Sequence, residues 1–540
     1  MNSIVNKLLF KRGIKTREDI EEFFSENPQK TYDPFLLKNM DKAVLFLEEA
    51  FDTNKKIAIY GDYDVDGVMA TTILYKIFQN FTDNLITFLP SRFNGGYGLN
   101  KDDIKKLKDR GVDIIVTVDL GIVNDKEVLF AKELGIEVLI TDHHLPDIEK
   151  MPDCIVINQN LENSKYPFKE ICGAMIAFKL SQALVKKFPE KTLKKNLHEL
   201  IDLVGIATVC DIMPLIDENR TVLKYALKDL KEGNRLAINT LLNLKDIDIK
   251  NVDVYHIAFI IGPHINAAGR IGDASLSFDL LNTNDGSEII EKVEILIDKN
   301  NERKNLQKEC FNECVEIVNE EELKKKILFL KPKKAHEGVI GIVAGKIKEK
   351  YYLPTTVLSE DEGLLKASCR SIENIDITAA LRKYDNLFEK LGGHKMAAGF
   401  SIKKENFTEL KNNIIKDMID KEKNNPEFFE MNYDYDLKIK VDEINLDLAK
   451  EIEKLAPFGN GNNKPVFKIE DIKVEQFYRI GKDKEHLKFK IGNIDAILFY
   501  NAKKYIEIFE KNEPIDIYAN LNVNEFKGNK TVQVIAQHIT

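Results

Sequence analysis

Residues 57–67 read IAIYGDYDVDG. The apolar run Ile57, Ala58, Ile59 and Tyr60 stands between Lys55 and Lys56 on one side and Gly61 on the other, the pattern of a short buried strand. Asp62, Asp64 and Asp66 follow at alternate positions, and Gly67 opens a stretch predicted to be helical over 68–78. Like charges this close repel one another, so the segment favours a folded state only where cations or solvent screen it. A solvated acidic loop is the plain reading. The sharper one is a site for hard divalent cations, which prefer carboxylate oxygens. The spacing also fits the first half of an EF-hand loop, but its twelfth position is Ile73 where a bidentate Glu is required, and a strand precedes it. The EF-hand is excluded.

Outward from this stretch a rhythm sets in. Strand-like apolar runs occur at 57–60, 85–89, 113–118, 137–141 and 154–157, with helical patterns such as 101–110 and 125–134 between them. This alternation predicts right-handed βαβ units and a doubly wound parallel sheet. Two further runs end on an acid: IIVTV on Asp119 and VLIT on Asp142. Ligand groups in open α/β sheets gather at the carboxyl ends of strands, so these acids should converge with Asp62, Asp64 and Asp66. Each alone is more often a cap or turn residue; together they are harder to dismiss. His143 and His144 follow Asp142, and one imidazole can ligate a metal while the other meets a reacting phosphate. The apolar helix LIDLVGIATVC reaches Asp211, and Pro214 closes it.

Residues 215–325 read as helical, with a Lys/Glu/Asn-rich run over 288–322. A second α/β pattern follows: a Gly-rich turn entering a helix at 336–350, strands at 352–360 and 363–371, and LGGHKMAAGFSI at 391–402 as a Gly-rich turn with a helix. Glycines beside a helix N-terminus let backbone N–H groups approach a phosphate. Beyond a charged helix and linker at 403–430, several short alternating strands without long helices predict a small barrel. Small barrels of the OB type can bind single strands by stacking bases on aromatics above a basic groove; Phe477, Tyr478, Arg479, Lys488 and Phe526 are candidates, although most aromatics in so small a barrel are core.

The whole chain bounds these readings. Its 540 residues should form several domains, and its 44% hydrophobic and 31% charged content is that of a soluble globular protein. No apolar run is long enough to span a bilayer and the first residues lack a signal-peptide core, so the expectation is a cytoplasmic protein without membrane attachment. The six cysteines form no CxxC pair, which points to reduced structural thiols and away from zinc. A net charge of −9 argues weakly against bulk nucleic-acid binding but leaves room for a locally basic channel.

GDYDVDG, VTVDLG, TDHH and ATVCDIMPL, in this order, resemble the four-motif series of the DHH phosphoesterase family, and within it the branch of single-strand-specific 5′→3′ exonucleases. RGIKT, DPFLLKNMDKAV, PSRFNGGYGLN at 90–100 and INAAGRIGDA at 265–274 resemble the same branch. Gly392, Gly393, His394, Ala397, Ala398 and Gly399 match the GGHxxAAG pattern of the DHH-associated domain. The chain departs from the pattern at Gly95, Ala335, Asn463 and Phe526, where Glu, Trp, Pro and Trp are common, and it ends at the OB-like region. The resemblance implies an N-terminal helical segment (1–50), a doubly wound DHH domain (51–215), a helical region with a connecting helix (216–325), a smaller α/β DHH-associated domain (326–405), a linker (406–430) and a C-terminal OB-fold (431–540).

It further implies Asp64, Asp66, Asp119, His143 and Asp211 as ligands of two Mn²⁺ or Mg²⁺ ions, with Asp62 a ligand or an acid just behind them. Two such ions about 3.5–4 Å apart hold an activated water and steady the leaving oxygen. Asp119, alone on a central strand, is the natural bridge, and His144 would meet the scissile phosphate or leaving group. Substrate contacts are expected from Arg92, Tyr97, Arg270, Ser368, Arg370 and His394, in a channel between the two α/β halves too narrow for duplex. Implied partners are single-stranded DNA, a helicase and a single-strand-binding protein, with the chain a monomer. The rival readings are a DHH phosphodiesterase of short oligonucleotides, a non-catalytic replication scaffold and a structural α/β protein.

Overall fold

The computed structural model describes residues 2–91, 98–191, 197–361, 363–474, 476–500, 502–511 and 513–540. They form two compact units, one of residues 1–262, 278–289 and 433–540, the other of 263–277 and 290–432.

In the first unit, helices α1 (Ser3–Lys11), α2 (Arg17–Phe24) and α3 (Met40–Asp52) precede β1 (Ile57–Gly61). Strands β2 (Leu85–Phe88), β3 (Ile114–Val118), β4 (Glu137–Thr141) and β5 (Ile155–Ile157) join it in a wholly parallel sheet of order β2-β1-β3-β4-β5. β1 and β3 are buried at every position, as central strands covered on both faces must be. The order reverses at β1, so the crevice beyond the carboxyl ends of β1 and β3 is the switch point where such sheets bind ligands. Helices α4 (Val65–Phe78), α5 (Lys101–Asp109) and α6 (Asp125–Glu133) connect the strands, and α7 (Gly173–Lys187) and α8 (Ile201–Cys210) pack beside α4. α4 begins three residues before the predicted 68–78, because the Asp64 side chain accepts the Gly67 N–H at 3.2 Å and caps the helix there. Helix α9 (Asp217–Glu232) packs against α8.

Helix Gly286–Ile317 carries the chain into the second unit. There β6 (Leu328–Leu330), β7 (Thr355–Asp361), β8 (Leu364–Arg370), β9 (Phe388–His394) and β10 (Ala397–Lys403) form a mixed sheet of order β6-β7-β8-β10-β9. Helix Glu337–Tyr351 lies between β6 and β7 in sequence. The expectation of a Gly-rich turn and helix at 391–402 is corrected: these residues are the β9–β10 hairpin. Ala398, Phe400 and Ile402 alternate into the core on β10, and that period-two pattern outweighs the turn signal of the glycines.

The remaining strands, β11 (Leu437–Lys438), β12 (Phe467–Ile472), β13 (Phe477–Ile480), β14 (His486–Ile491), β15 (Ile494–Leu498), β16 (Ile515–Phe526) and β17 (Asn529–Ile539), form one seven-stranded sheet in the first unit. Two helices absent from the sequence reading, Leu446–Glu453 and Ala502–Glu510, close over it through Leu448, Ile452, Tyr505 and Phe509. The same core contains Ile4, Val5, Leu8 and Leu9 of α1. Helix α1 is held at its edges as well, with Asn2 N–H donating to Glu451 at 2.7 Å and the Arg12 guanidinium to the Asn463 carbonyl at 2.7 Å. Among the described residues no helix is long and apolar enough to cross a membrane.

Candidate metal centre

The acids expected to converge do so at the carboxyl edge of the parallel sheet. After β1 the chain folds back so tightly that a Cβ on Gly67 would lie 2.4 Å from the Asp62 carbonyl oxygen; only glycine fits. Asp62 and Asp66 are buried. Asp66 sits in the first turn of α4, and its two oxygens accept the Gly173 and Ala174 N–H groups at 2.6 and 2.7 Å. The carboxylate thus anchors the N-terminus of α7, where its charge is favoured. Asp119 follows β3 in the left-handed region, φ 64°, with its N–H on the Thr141 carbonyl at 3.0 Å. A Cβ on Gly173 would lie 2.7 Å from Asp119 Cβ, so α7 reaches this acid only because that residue is glycine. The composition of ICGAM gives no chemical signal of this, and sequence reasoning missed it.

His143 and His144 leave β4 with their carbonyls pinned. Gln159 and Asn160 donate to the His143 carbonyl, each at 3.1 Å, and Asn158 to that of His144 at 2.8 Å. His143 Nε2 lies 3.1 Å from Asp119 Oδ1, 3.6 Å from Asp211 Oδ2 and 3.8 Å from Asp66 Oδ2. His144 Nδ1 lies 2.7 Å from Asp142 Oδ1 and 4.0 Å from Asp119 Oδ1. Asp142 is fully buried, and its other oxygen accepts the Ile122 N–H at 2.9 Å. Asp142 therefore faces His144 and orients it. Asp211 caps the end of α8.

These side chains make three overlapping donor groups, each with its ligand atoms within 4.8 Å of one another: Asp62, Asp64 and Asp119; Asp66, His143 and Asp211; Asp119, His143 and His144. Burial, then the charges of Asp66, Asp64, Asp62 and Asp211, push the Asp119 carboxyl far above the usual range. Burial, with Asp66 and Asp64, pushes Asp211 up to about 9. Burial holds His143 below the ordinary imidazole value, leaving a neutral ring with a lone pair to give. At His144 burial acts the same way, but the hydrogen bond and charge of Asp142 outweigh it and push the imidazole up to about 9. Asp211 Oδ2 is buried with no hydrogen-bond donor among the described residues. Carboxylates and one neutral imidazole, crowded beyond what they tolerate without a counter-charge, fit hard divalent cations such as Mn²⁺ or Mg²⁺.

Of the substrate-contact candidates, Arg92 and Tyr97 lie outside the described residues. The others belong to the second unit. Ser368 and Arg370 share one face of β8, where the guanidinium donates to Ser368 Oγ at 3.1 Å. Arg370 stands opposite Ala397, which stands opposite the exposed His394. Arg270 donates to the Gly338 carbonyl at 3.2 Å. The glycines of GGHxxAAG are not at a helix N-terminus: Gly399 faces Ser368 on one side and Gly392 on the other, leaving a bare strip of sheet. In the seven-stranded sheet, Tyr478 and Phe526 are 62% and 68% exposed. Lys488 pairs with Asp495 at 3.1 Å, and Arg479 donates to the Lys484 carbonyl at 2.9 Å. Phe477 is half-buried and packs on Phe509 at 5.3 Å between ring centroids, against the core of this sheet.

Three family models match the chain: the DHH family N-terminal domain over residues 56–208, the DHHA1 domain over 324–420 and the RecJ OB domain over 435–538. The single-stranded-DNA-specific exonuclease RecJ of Bacillus subtilis is 33% identical over 98% of this chain and 67% of its own length. That of Haemophilus influenzae is 31% identical over 99% and 96%. The Thermus thermophilus RecJ structure in complex with Mn²⁺ matches with a TM-score of 0.83 at 25% identity, over 99% of this chain and 75% of that one. A crystal structure of exonuclease RecJ bound to manganese matches with a TM-score of 0.61 at 30% identity, over 71% and 94%. A parallel sheet with acids and paired histidines at its switch point, followed by DHHA1 and OB modules, defines a DHH-family hydrolase. The chain belongs to the RecJ family.

Proposed function

We propose that this protein is a divalent-cation-dependent exonuclease that degrades single-stranded DNA from its 5′ end to nucleotides, in repair and recombination. The observation that carries this reading is the meeting of His143 Nε2 with carboxylate oxygens from α4, the end of β3 and the end of α8, all within 3.8 Å. In this reading Asp62, Asp64, Asp66, Asp119, His143 and Asp211 hold two Mn²⁺ or Mg²⁺ ions. Asp119 would be the shared ligand: like His143 it stands in two of the three donor groups, and a carboxylate has a second oxygen to offer where a single imidazole nitrogen does not. The bound cations neutralise phosphate charge and lower the pKa of water toward neutrality. His143 gives a lone pair. His144, kept protonated at neutral pH by Asp142, donates to the scissile phosphate or the leaving oxygen. Arg92, Tyr97, Arg270, Ser368, Arg370 and His394 contact the strand, arginine being suited to bidentate phosphate recognition. A helicase that frees single strands and a single-strand-binding protein are the partners this reading implies, with the protein a cytoplasmic monomer.

The test is a nuclease assay in Mn²⁺ with single-stranded DNA labelled at either end, beside duplex and dinucleotide controls. Progressive loss from the 5′ end of the single strand is the expected result. Cleavage of dinucleotides alone would assign the protein to the short-substrate phosphodiesterases. Inactivity with every divalent metal would favour a scaffold.

A further inference from the structure

The turn that presents Asp211 is not held by the parallel-sheet module alone. Immediately after Asp211, Ile212 takes a left-handed backbone, φ 57°, with its side chain 70% exposed. A β-branched residue adopts that conformation only where its surroundings impose it. Those surroundings come from residues 456–462, between helix Leu446–Glu453 and β12. Asn460 Nδ2 donates to the Ile212 carbonyl at 2.7 Å, and the Asn460 carbonyl accepts the Leu215 N–H at 2.7 Å. One residue thus brackets the whole turn.

The approach is closer than side chains permit. A Cβ on Gly459 would lie 2.4 Å from Leu215 Cδ1, and one on Gly461 2.8 Å from Pro214 Cβ. The loop is itself stiff. Asn462 Nδ2 donates to the carbonyls of Leu455 and Pro457 at 3.0 and 2.8 Å, Gly459 and Asn462 exchange backbone hydrogen bonds, and Arg220 donates to the Ala456 carbonyl at 2.7 Å. From the other side, Asn219 Nδ2 donates to the Pro214 carbonyl at 3.0 Å.

We infer that residues 456–462 are a positioning element of the metal centre, and that Asn460 sets the placement of Asp211. The GNGN stretch thus serves the metal-binding edge of a different sheet from the one it leads into. The inference rests on the reading of Asp211 as a metal ligand. Groups that orient a ligand typically govern metal affinity by about 10–100-fold.

The experiment measures Mn²⁺ binding to the full chain by calorimetry and by electron paramagnetic resonance, beside exonuclease kinetics. Asn460→Ala is expected to weaken Mn²⁺ binding at least about tenfold, with kcat restored at saturating Mn²⁺ and KM for single-stranded DNA unchanged. Asn460→Asp keeps size and backbone but turns the donor into an acceptor facing the Ile212 carbonyl. Added negative charge alone would tighten cation binding, so weakening in this variant reports displacement of Asp211. It decides the matter alone if Asn460→Ala does not fold. Asp211→Asn is the reference. Weakening by Asp211→Asn with wild-type affinity in the Asn460 variants overturns this inference only. Wild-type affinity in Asp211→Asn removes the ligand reading, and this inference with it.

Discussion

Asp119 carries three unfavourable features at once: a left-handed backbone, burial, and four other carboxylates whose charges raise its pKa. Asn tolerates the left-handed region about as well as Asp and drops the charge. Asp119→Asn should therefore raise the melting temperature of the metal-free protein by roughly 1–3 °C, while cutting exonuclease activity by on the order of 10³-fold. Thermal melts in chelator and end-labelled digestion check the two halves separately. The same crowding sets a pH dependence. Asp211 is raised from 3.8 to about 9 and His144 from 6.5 to about 9. Across those windows the folded state holds more protons than the unfolded, so metal-free stability should fall as pH rises from about 4 to about 9. Added Mn²⁺ should restore more stability at high pH than at low, measured as the shift in melting temperature with metal at each pH. Asp119 was legible because it stands at a strand end, and Asp211 because it closes an otherwise apolar helix, both local patterns. Asp142 stands at a strand end too, yet it orients His144, and no spacing separates the two roles.

Gly173 shows how one element sets the site of another. Helix α7 comes within reach of Asp119 and donates its first N–H groups to Asp66 only while that position lacks a Cβ. Gly173→Ala should destabilise the fold by about 1–3 kcal/mol and weaken Mn²⁺ binding in parallel, read by denaturant unfolding and calorimetry. The strands of the parallel sheet were legible to within a residue or two, because each is a short, mainly apolar run set off by helical or turn segments, and the central β1 and β3 are buried throughout. The hairpin β9–β10 was not. Its glycines mimic a turn, whereas pairing with β8 decides its conformation, and that partner is remote in sequence. The helices over the seven-stranded sheet were missed for a similar reason: their apolar faces are short, and their burial depends on strands not adjacent to them in sequence.

At the scale of the molecule, helix α1 is an integral part of the seven-stranded module. Leu8→Ala removes a fully buried side chain from a core shared with Phe467 and Phe489 and should cost about 2–5 kcal/mol. Limited proteolysis should then cut first within residues 433–540, and retention of single-stranded DNA should weaken. No reading of α1 alone reveals this, since an amphipathic helix does not announce its partner. The arrangement also bears on how the protein is made. Ile4, Val5, Leu8 and Leu9 emerge from the ribosome more than four hundred residues ahead of the strands that will cover them. At about 5–20 residues per second the wait is roughly 20–90 s, during which an apolar helical face has no native partner. The nascent chain must either shield that face with a chaperone or leave it loosely bound elsewhere, so this core closes only once residues 439–539 have been made.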